Sequence, residues 1–182
     1  FKDDRDEDDV SPTIGINYFA TEQVMIYAKY ARGFKSGGYN AEFMTAGLDF
    51  FEYEDETVDT YELGIKSTLF DDTLQLNATG FISEFDDYQV FQFLTNAQGA
   101  TTLQLTNAGQ VTSQGVELET VYVPTDRLRL TLNATWLDAK YDEFESPGGG
   151  EPFTGNKLPY APELKYYLAA QYLLELASGS LT

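Results

Sequence analysis

The sequence predicts an all-β chain of about seven antiparallel strands. Three features of its 182 residues lead to this prediction. Apolar and polar side chains alternate with a period of two over several segments. These segments are separated alternately by short polar turns and by longer loops. Aromatic residues make up 15% of the chain. The formal net charge is -19, which alone would suggest disorder, but a disordered acidic tail lacks aromatic rings. We therefore expect the rings to be buried or embedded.

The alternation is clearest between residues 60 and 69. Tyr61, Leu63 and Ile65 fall on one face of an extended chain, while Glu62 and Lys66 fall on the other. A helix would instead bring Leu63 and Lys66 to one side, so this segment is predicted to be a strand. The same reasoning predicts six further strands: Thr13–Tyr18, Val24–Ala31, Leu74–Ser83, Gly115–Val123, Leu128–Trp136 and Leu164–Tyr172.

Two kinds of connection join these strands. Short polar turns are predicted at residues 20–23, 70–73, 124–127 and 176–180, and longer links at 35–56, 94–101 and 142–161. Because consecutive strands are antiparallel, all short turns lie at one end of the sheet and all long links at the other. This asymmetry is typical of an antiparallel transmembrane β-barrel of the bacterial outer membrane, with short periplasmic turns and long extracellular loops. An open sheet edge leaves unpaired backbone groups in lipid, so we expect further strands beside these seven.

The two faces of the strands are predicted to meet different solvents. A charged side chain facing lipid costs roughly 2–4 kcal/mol at the bilayer midplane, so the apolar face is predicted to point outward. The predicted lipid-facing residues are Leu63, Ile65, Leu76, Leu118, Leu130 and Leu132. The predicted lumen-facing residues are Glu62, Lys66, Asn77, Glu117, Glu119, Arg129 and Asn133. Rings near the strand ends, including Tyr88 and Tyr141, predict two interfacial girdles, although the core of a soluble β-sandwich is also rich in aromatics.

Composition argues against several classes of function. The chain contains no His and no Cys, which removes the usual general base, the commonest zinc ligand and any thiolate site. We therefore expect no enzyme activity, no catalytic residue, no metal site and no cofactor in this segment. Nucleic acid is not an expected partner, because phosphate binding requires Lys and Arg, of which there are 11 against 30 acids. The chain has no run of 18 or more apolar residues, so no transmembrane helix is predicted.

Several motifs, taken in order, resemble those of TonB-dependent outer-membrane receptors. They are YAKYARGFKSGGYN at 27–40, YELGIKS at 61–67 followed by LFDD at 69–72, NAG at 107–109, GVELE at 115–119 and LPYAP at 158–162. The resemblance implies a 22-stranded barrel plugged by an N-terminal domain. It also implies import of iron chelates, haem, cobalamin or oligosaccharides with energy from the TonB complex. Residues 1–182 are then expected to be a partial transmembrane β-barrel domain from the later half of the barrel, without the plug domain and the terminal strands.

Five residues are candidates for ligand binding. Arg32, Lys35, Tyr39 and Asn40 lie where a strand enters a long loop, and Tyr53 lies in an acidic and aromatic segment of that loop. Cationic and aromatic side chains suit an anionic ferric chelate, and Tyr and Asn suit a sugar. The glycines among them favour a structural role as turn residues instead. The acidic stretch at residues 3–9 favours a solvated loop over a calcium site.

The resemblance predicts part of an active transporter that imports a scarce nutrient such as a ferric siderophore. The alternatives are a passive outer-membrane porin and a TonB-dependent carbohydrate importer. The expected partners are the TonB complex, the receptor's own plug domain, outer-membrane lipid and lipopolysaccharide, and a small nutrient ligand. A secreted carbohydrate-binding sandwich and an outer-membrane protease or lipase are weaker alternatives, the last because its usual His is absent.

Overall fold

A computed structural model describes residues 5, 7–40, 52–95, 99, 101–144, 153–176 and 179–181. This part of the chain contains only β-strands as regular elements, and they confirm the all-β prediction. In chain order they are β1 Thr13–Thr21, β2 Val24–Lys35, β3 Gly38–Tyr39, β4 Glu52–Tyr53, β5 Glu56–Leu69, β6 Leu74–Asp86, β7 Gln89–Thr95, β8 Thr101–Asn107, β9 Val111–Thr125, β10 Leu128–Tyr141, β11 Leu164–Tyr172, β12 Leu174–Leu176 and β13 Gly179–Leu181.

One large sheet contains all seven predicted strands, in the order β1-β2-β5-β6-β9-β10-β11. Every neighbouring pair in it is antiparallel. The observed strands extend beyond the predicted ones, mostly toward the long links, because backbone pairing continues after the alternating pattern of side chains ends. Tight turns join β1 to β2, β5 to β6 and β9 to β10, as predicted. The predicted connections at 35–56, 142–161 and 176–180 lie partly outside the described residues.

The pairing register separates apolar from polar side chains over the whole sheet. Along one row, Leu63 of β5 pairs with Gly80 of β6, which pairs with Val116 of β9 and then Trp136 of β10. Because side chains alternate along each strand, the face that carries Leu63 also carries Ile65, Leu76, Leu118, Leu130 and Leu132. We call this the apolar face. Its residues are open rather than packed in a core, and Leu63 is 64% exposed.

The opposite side, which we call the polar face, carries all seven residues predicted to line the lumen. Lys66 pairs with Asn77, Asn77 with Glu119, and Glu119 with Asn133, so four strands contribute to one polar row. Glu62, Glu117 and Arg129 follow on the same face of their strands at even spacing. The segregation of these two sets is therefore a property of the register. Contact with lipid and with a lumen stays a prediction.

Two strands that the sequence analysis did not predict, β7 and β8, flank the predicted link at 94–101 and form a hairpin. These strands pair from Gln89 opposite Asn107 to Thr95 opposite Thr101, outside the large sheet. The sequence prediction missed them because β7 has apolar residues on both sides: Val90 and Leu94 on one, Phe91 and Phe93 on the other. A strand without a polar face shows no period-two pattern.

The turn between β5 and β6 has an unusual backbone. Phe70, Asp71 and Asp72 have φ angles of 55°, 52° and 66°, so three consecutive non-glycine residues are left-handed. For L-residues this region costs roughly 1–2 kcal/mol each, although Asp tolerates it better than most. The turn is closed by the hydrogen bond from the Thr73 amide to the Phe70 carbonyl at 3.2 Å and the Thr73 hydroxyl to the same oxygen at 2.8 Å.

The buried apolar residues lie at the loop end of the polar face. Val111 and Tyr141 pair across β9 and β10, and Ala108 and Phe144 complete the cluster. Phe85, Tyr88, Val90 and Leu158 pack against it. The core of the described chain therefore lies where the links fold back over the end of the sheet, and the middle of the sheet is open on both sides.

Candidate ligand-facing wall and mouth

The polar face carries a network of hydrogen bonds and ion pairs between neighbouring strands. The Lys29 ammonium lies 3.0 Å from a Glu62 carboxylate oxygen, and the Asn77 amide donates to the Glu119 carboxylate at 3.4 Å. The first contact joins β2 to β5, and the second joins β6 to β9. Because all four side chains are polar and at least partly accessible, this face suits contact with water rather than with acyl chains.

Tyr27 is the best-placed aromatic residue in the middle of this wall. Its hydroxyl lies 2.8 Å from the Thr79 hydroxyl, and the Lys66 ammonium lies 5.6 Å from the centre of its ring. The ring lies directly over Gly64, where an added Cβ would be 2.3 Å from a ring carbon. Gly64 is therefore required by the close approach of Tyr27 rather than by a turn.

The structure separates the five residues predicted to bind ligand. Arg32 is on the apolar-face side of β2, where its guanidinium lies 3.4 Å from the Asp59 carboxylate. Lys35 ends β2 on the opposite side, paired in register with Glu56. Tyr39 and Tyr53 lie in the small β3–β4 ladder, with the Tyr53 ring against Gly38. Ligand contact by any of these residues stays a prediction.

Asn40 has a structural contact that the sequence did not reveal. Its side chain is 7% exposed, and its amide donates to the Leu105 carbonyl at 2.8 Å and accepts from the Leu105 amide at 2.9 Å. These are the two hydrogen bonds that a residue of a neighbouring strand would make with Leu105 of β8. Asn40 therefore fastens the β7–β8 hairpin to the segment that follows β3.

Gln89 and Asn107 fasten the same hairpin at its base. The Gln89 amide group donates to the Ser36 and Glu54 carbonyls, both at 3.0 Å. The Asn107 amide donates to the Asp87 carbonyl at 2.7 Å, and Asn107 also accepts from the Glu54 backbone amide at 2.8 Å. The two side chains at the base of the hairpin consequently hold it to backbone atoms of Ser36, Glu54 and Asp87.

Acidic residues surround the base of the hairpin. Arg5 is ion-paired with Glu7, with Glu52 at 2.8 Å and with Glu54 at 2.8 Å, and its hydrogen bond to Glu54 is the main cause of its raised pKa. Nearby, burial raises the pKa of Asp87, with repulsion from Asp86 as the next cause. The sequence prediction that residues 3–9 are a solvated loop misses this role of Arg5, although residues 3, 4 and 6 lie outside the described part.

Five rings form a continuous series at the loop end of the polar face, which we call the aromatic cluster. The centroid distances are 5.6 Å from Phe85 to Tyr88, 6.3 Å from Tyr88 to Tyr141, 5.0 Å from Tyr141 to Phe144 and 4.9 Å from Phe144 to Phe153. The pairs are close to perpendicular, which is the geometry that the ring quadrupole favours. Tyr88 and Tyr141, expected in an interfacial girdle, instead pack in this cluster.

Sequence reasoning did not bring these rings together. They come from the end of β6, the end of β10 and the link before β11, and only the return of residues 153–158 along β10 assembles them. The Leu158 amide donates to the Ala139 carbonyl at 2.9 Å and the Tyr141 amide donates to the Asn156 carbonyl at 3.0 Å. The high aromatic content of both links was the one available signal.

Comparison with known proteins identifies the family. All of residues 1–182 match the family described as "TonB dependent receptor-like, beta-barrel". The chain belongs to this family. The resemblance found in the sequence motifs is thereby confirmed, and so are the barrel fold and the outer-membrane location. The family is one of transporters.

Individual relatives agree with this assignment. The pesticin receptor of Yersinia pestis is 30% identical over 158 residues, which cover 86% of this chain and 21% of that protein. The ferric yersiniabactin uptake receptor FyuA from Yersinia pestis matches 92% of this chain and 23% of its own, with 25% identity and a TM-score of 0.71. The siderophore receptor PiuA from Acinetobacter baumannii matches 89% of this chain and 23% of its own, with 23% identity and a TM-score of 0.67. The chain thus spans about a fifth of such relatives.

Two further observations concern the described residues only. No group of three or more acidic residues is arranged there to hold a metal ion. No helix in the described part has the length and apolarity needed to cross a bilayer.

Proposed function

We propose that this chain is part of an outer-membrane active transporter that imports a small ferric chelate of the siderophore class. The observation that carries the proposal is the match to the ferric yersiniabactin uptake receptor, which extends over 92% of this chain at 25% identity. The role of residues 1–182 in that transporter is to supply barrel wall and loop structure. We propose no catalytic role for them.

The polar face supports a passage for a hydrated, hydrogen-bonding cargo. Lys29, Glu62, Asn77 and Glu119 form interstrand contacts that still leave part of each side chain accessible. In a barrel the apolar face would meet lipid and the polar face the interior. A plug domain elsewhere in the protein would close that interior, and the TonB complex would supply the energy to open it. Outer-membrane lipid and lipopolysaccharide would surround the apolar face.

The assignment of the two faces can be tested with adjacent residues. The chain has no Cys, so Leu132→Cys and Asn133→Cys each introduce a single thiol into this region. These neighbours lie on opposite faces of β10. With a nitroxide label in the intact receptor in lipid, position 132 should be accessible to lipid-soluble oxygen and position 133 to a water-soluble nickel complex. Equal nickel access at both positions would contradict the proposed orientation.

The transport proposal is tested in cells that lack the full-length gene. We expect complementation by the intact gene to restore uptake of iron-radiolabelled ferric yersiniabactin, the cargo named for the matched receptor, and a tonB deletion to abolish it. Uptake that persists without TonB would indicate a passive porin. Restored growth on oligosaccharides, with no uptake of any ferric chelate, would indicate the carbohydrate importer instead.

A further inference from the structure

A cavity of about 640 Å³ lies beside the aromatic cluster. Phe93 of β7 and Phe144 and Phe153 of the last long link line its walls, and Gln92, Asn156 and Lys157 contribute polar groups. Its volume falls in the range of about 300–1,000 Å³ that is typical of small-molecule sites. A largely apolar wall with a few convergent polar groups is also the usual composition of such a site.

Exposed phenylalanines at this position need an explanation. Phe91, Phe93 and Phe153 are 61%, 78% and 49% exposed. Contact with membrane lipid does not provide one, because the apolar face ends at the row of Tyr61 and Ile82, and the next row toward the loops pairs Asp59 with Glu84. A cluster of exposed rings beyond the lipid-facing band is typical of a binding surface.

The walls of the cavity are well supported. Phe144 is 7% exposed, and its ring packs edge-on against both Tyr141 and Phe153. The Phe144 amide donates to the Thr154 hydroxyl at 3.1 Å, and the Gly155 amide donates to the Tyr141 carbonyl at 2.6 Å. On the other side, Gln92 is held by its 2.7 Å hydrogen bond to Thr106 across the hairpin. The cavity is therefore formed before any ligand arrives.

Two residues of the cavity, Asn156 and Lys157, can donate hydrogen bonds from their side chains. The Asn156 backbone is fixed by its bonds to Phe153 and Tyr141, while its side-chain amide makes no hydrogen bond within the described part. The Lys157 ammonium is ion-paired with Glu163, which orients it and neutralises part of its charge. An amide and an ammonium beside ring edges match the oxygen atoms of a hydroxylated ring.

We propose that this cavity binds the aryl ring of a small phenolic ligand. The ring would continue the edge-to-face series of Tyr141, Phe144 and Phe153, and its hydroxyl oxygens would accept hydrogen bonds from Asn156 and Lys157. A flat aromatic platform would favour a sugar, but here the rings stand at 81° and 88° to their neighbours and form no such platform. The inference rests on the proposed import function, since it names a chemical group of the imported ligand.

The test uses catechol as the probe and cyclohexane-1,2-diol as its saturated counterpart, both with the intact receptor in detergent micelles. Ligand-observed NMR titration should show saturable binding of catechol and about tenfold weaker binding of the diol, since only the aryl ring can make edge-to-face contacts. Phe153→Ala and Phe93→Ala should each weaken catechol binding by about tenfold. Phe70→Ala is the matched control, because Phe70 is 72% exposed but lies in a short turn at the opposite end of the sheet.

Several outcomes would overturn the inference. Equal affinity for catechol and the diol would show that aromatic recognition is absent, and saturable binding of maltohexaose in their place would show a sugar site. Unchanged catechol binding in both Phe variants, or no saturable binding at all because other receptor segments cover the rings, would do the same. Failure of the transport proposal looks different: catechol binds and the Phe variants weaken it, but complemented cells take up no ferric chelate.

Discussion

Replacing Gly64 with Ala tests whether the centre of the polar face is packed as described. An ideal Cβ at Gly64 would lie 2.3, 2.5 and 2.6 Å from three atoms of the Tyr27 side chain. Ordinary separations between such atoms are about 3.5–4.0 Å, so the ring must move by roughly 1 Å. A shift of that size breaks the 2.8 Å hydrogen bond between the Tyr27 and Thr79 hydroxyls and the cation–π interaction with Lys66.

The cost follows from the two interactions that this shift breaks. A hydrogen bond contributes about 0.5–1.5 kcal/mol net, and a cation–π interaction at an accessible site contributes about 0.5–1 kcal/mol. Replacing Gly by Ala without strain returns roughly 0.4–1 kcal/mol by restricting the unfolded chain. The expected net loss for Gly64→Ala is therefore about 1 kcal/mol in the free energy of unfolding, within bounds of about 0 and 2 kcal/mol.

The assay is urea unfolding of the intact receptor in lipid vesicles, with the free energy extrapolated to water. Gly80→Ala is the control, because a Cβ there would meet no atom closer than 4.0 Å, so no loss is expected. In a Tyr27→Ala background the clash is absent, and Gly64→Ala should then cost nothing. An equal cost of Gly64→Ala with and without the Tyr27 ring would refute the packing argument.

Three further changes test the lipid face, the strained turn and the acidic base of the hairpin. Ile65→Lys places a charge at the middle of the apolar face and should lower the free energy of unfolding by about 2–4 kcal/mol. Thr68→Lys, on the polar face, should change this free energy little. Equal effects of the two variants on unfolding in vesicles would contradict the proposed orientation of the two faces. Asp72→Gly, at a φ of 66°, should stabilise the β5–β6 turn by roughly 1 kcal/mol in the same assay, because Gly has no steric cost in the left-handed region. Asp126→Gly is the control, because that turn has no positive φ and the change should not stabilise it. Equal gains in stability for both variants would contradict the prediction. The pKa of Asp87 is raised, first by burial and then by Asp86. The contribution of Asp87 to stability therefore falls as the pH rises from the side chain's pKa in the unfolded chain, about 3.9, through its higher pKa in the folded chain. Asp87→Asn should thus slow proteolysis of the hairpin near neutral pH, but not at a pH below the pKa of Asp87 in the unfolded chain. Protection that is the same at all pH values would exclude the charge of Asp87 as the cause.

The large sheet was predictable because its strands carry a strong two-sided pattern. Leu130 and Leu132 alternate with Arg129 and Asn133, and only an extended chain separates them. The β7–β8 hairpin was not predictable in this way, since Val90 and Leu94 lie on one side of β7 and Phe91 and Phe93 lie on the other. Local pattern fails where a strand is apolar on both sides and its partner lies in a separate ladder.

The candidate site was predictable in part. Lys66 and Glu119 were assigned to one face from alternation alone, and the register places them there. Arg32 was grouped with Lys35 by closeness in sequence, but an odd separation of three residues places the two on opposite faces of β2. Asn40 was expected near ligand, and the sequence could not show that the backbone of Leu105 lies beside it.

The sequence by itself determined the strands, their short turns and the division of side chains into an apolar and a polar set, because these depend on neighbours within about ten residues of chain. Only the tertiary structure decided the pairing register between the strands, that Gly64 makes room for Tyr27, and that Phe85, Phe144 and Phe153 form one aromatic cluster with a cavity beside it. The physical reason is distance along the chain. Contacts between residues many tens of positions apart depend on backbone register and on the path of the links. Neither of these produces a periodic pattern in the sequence.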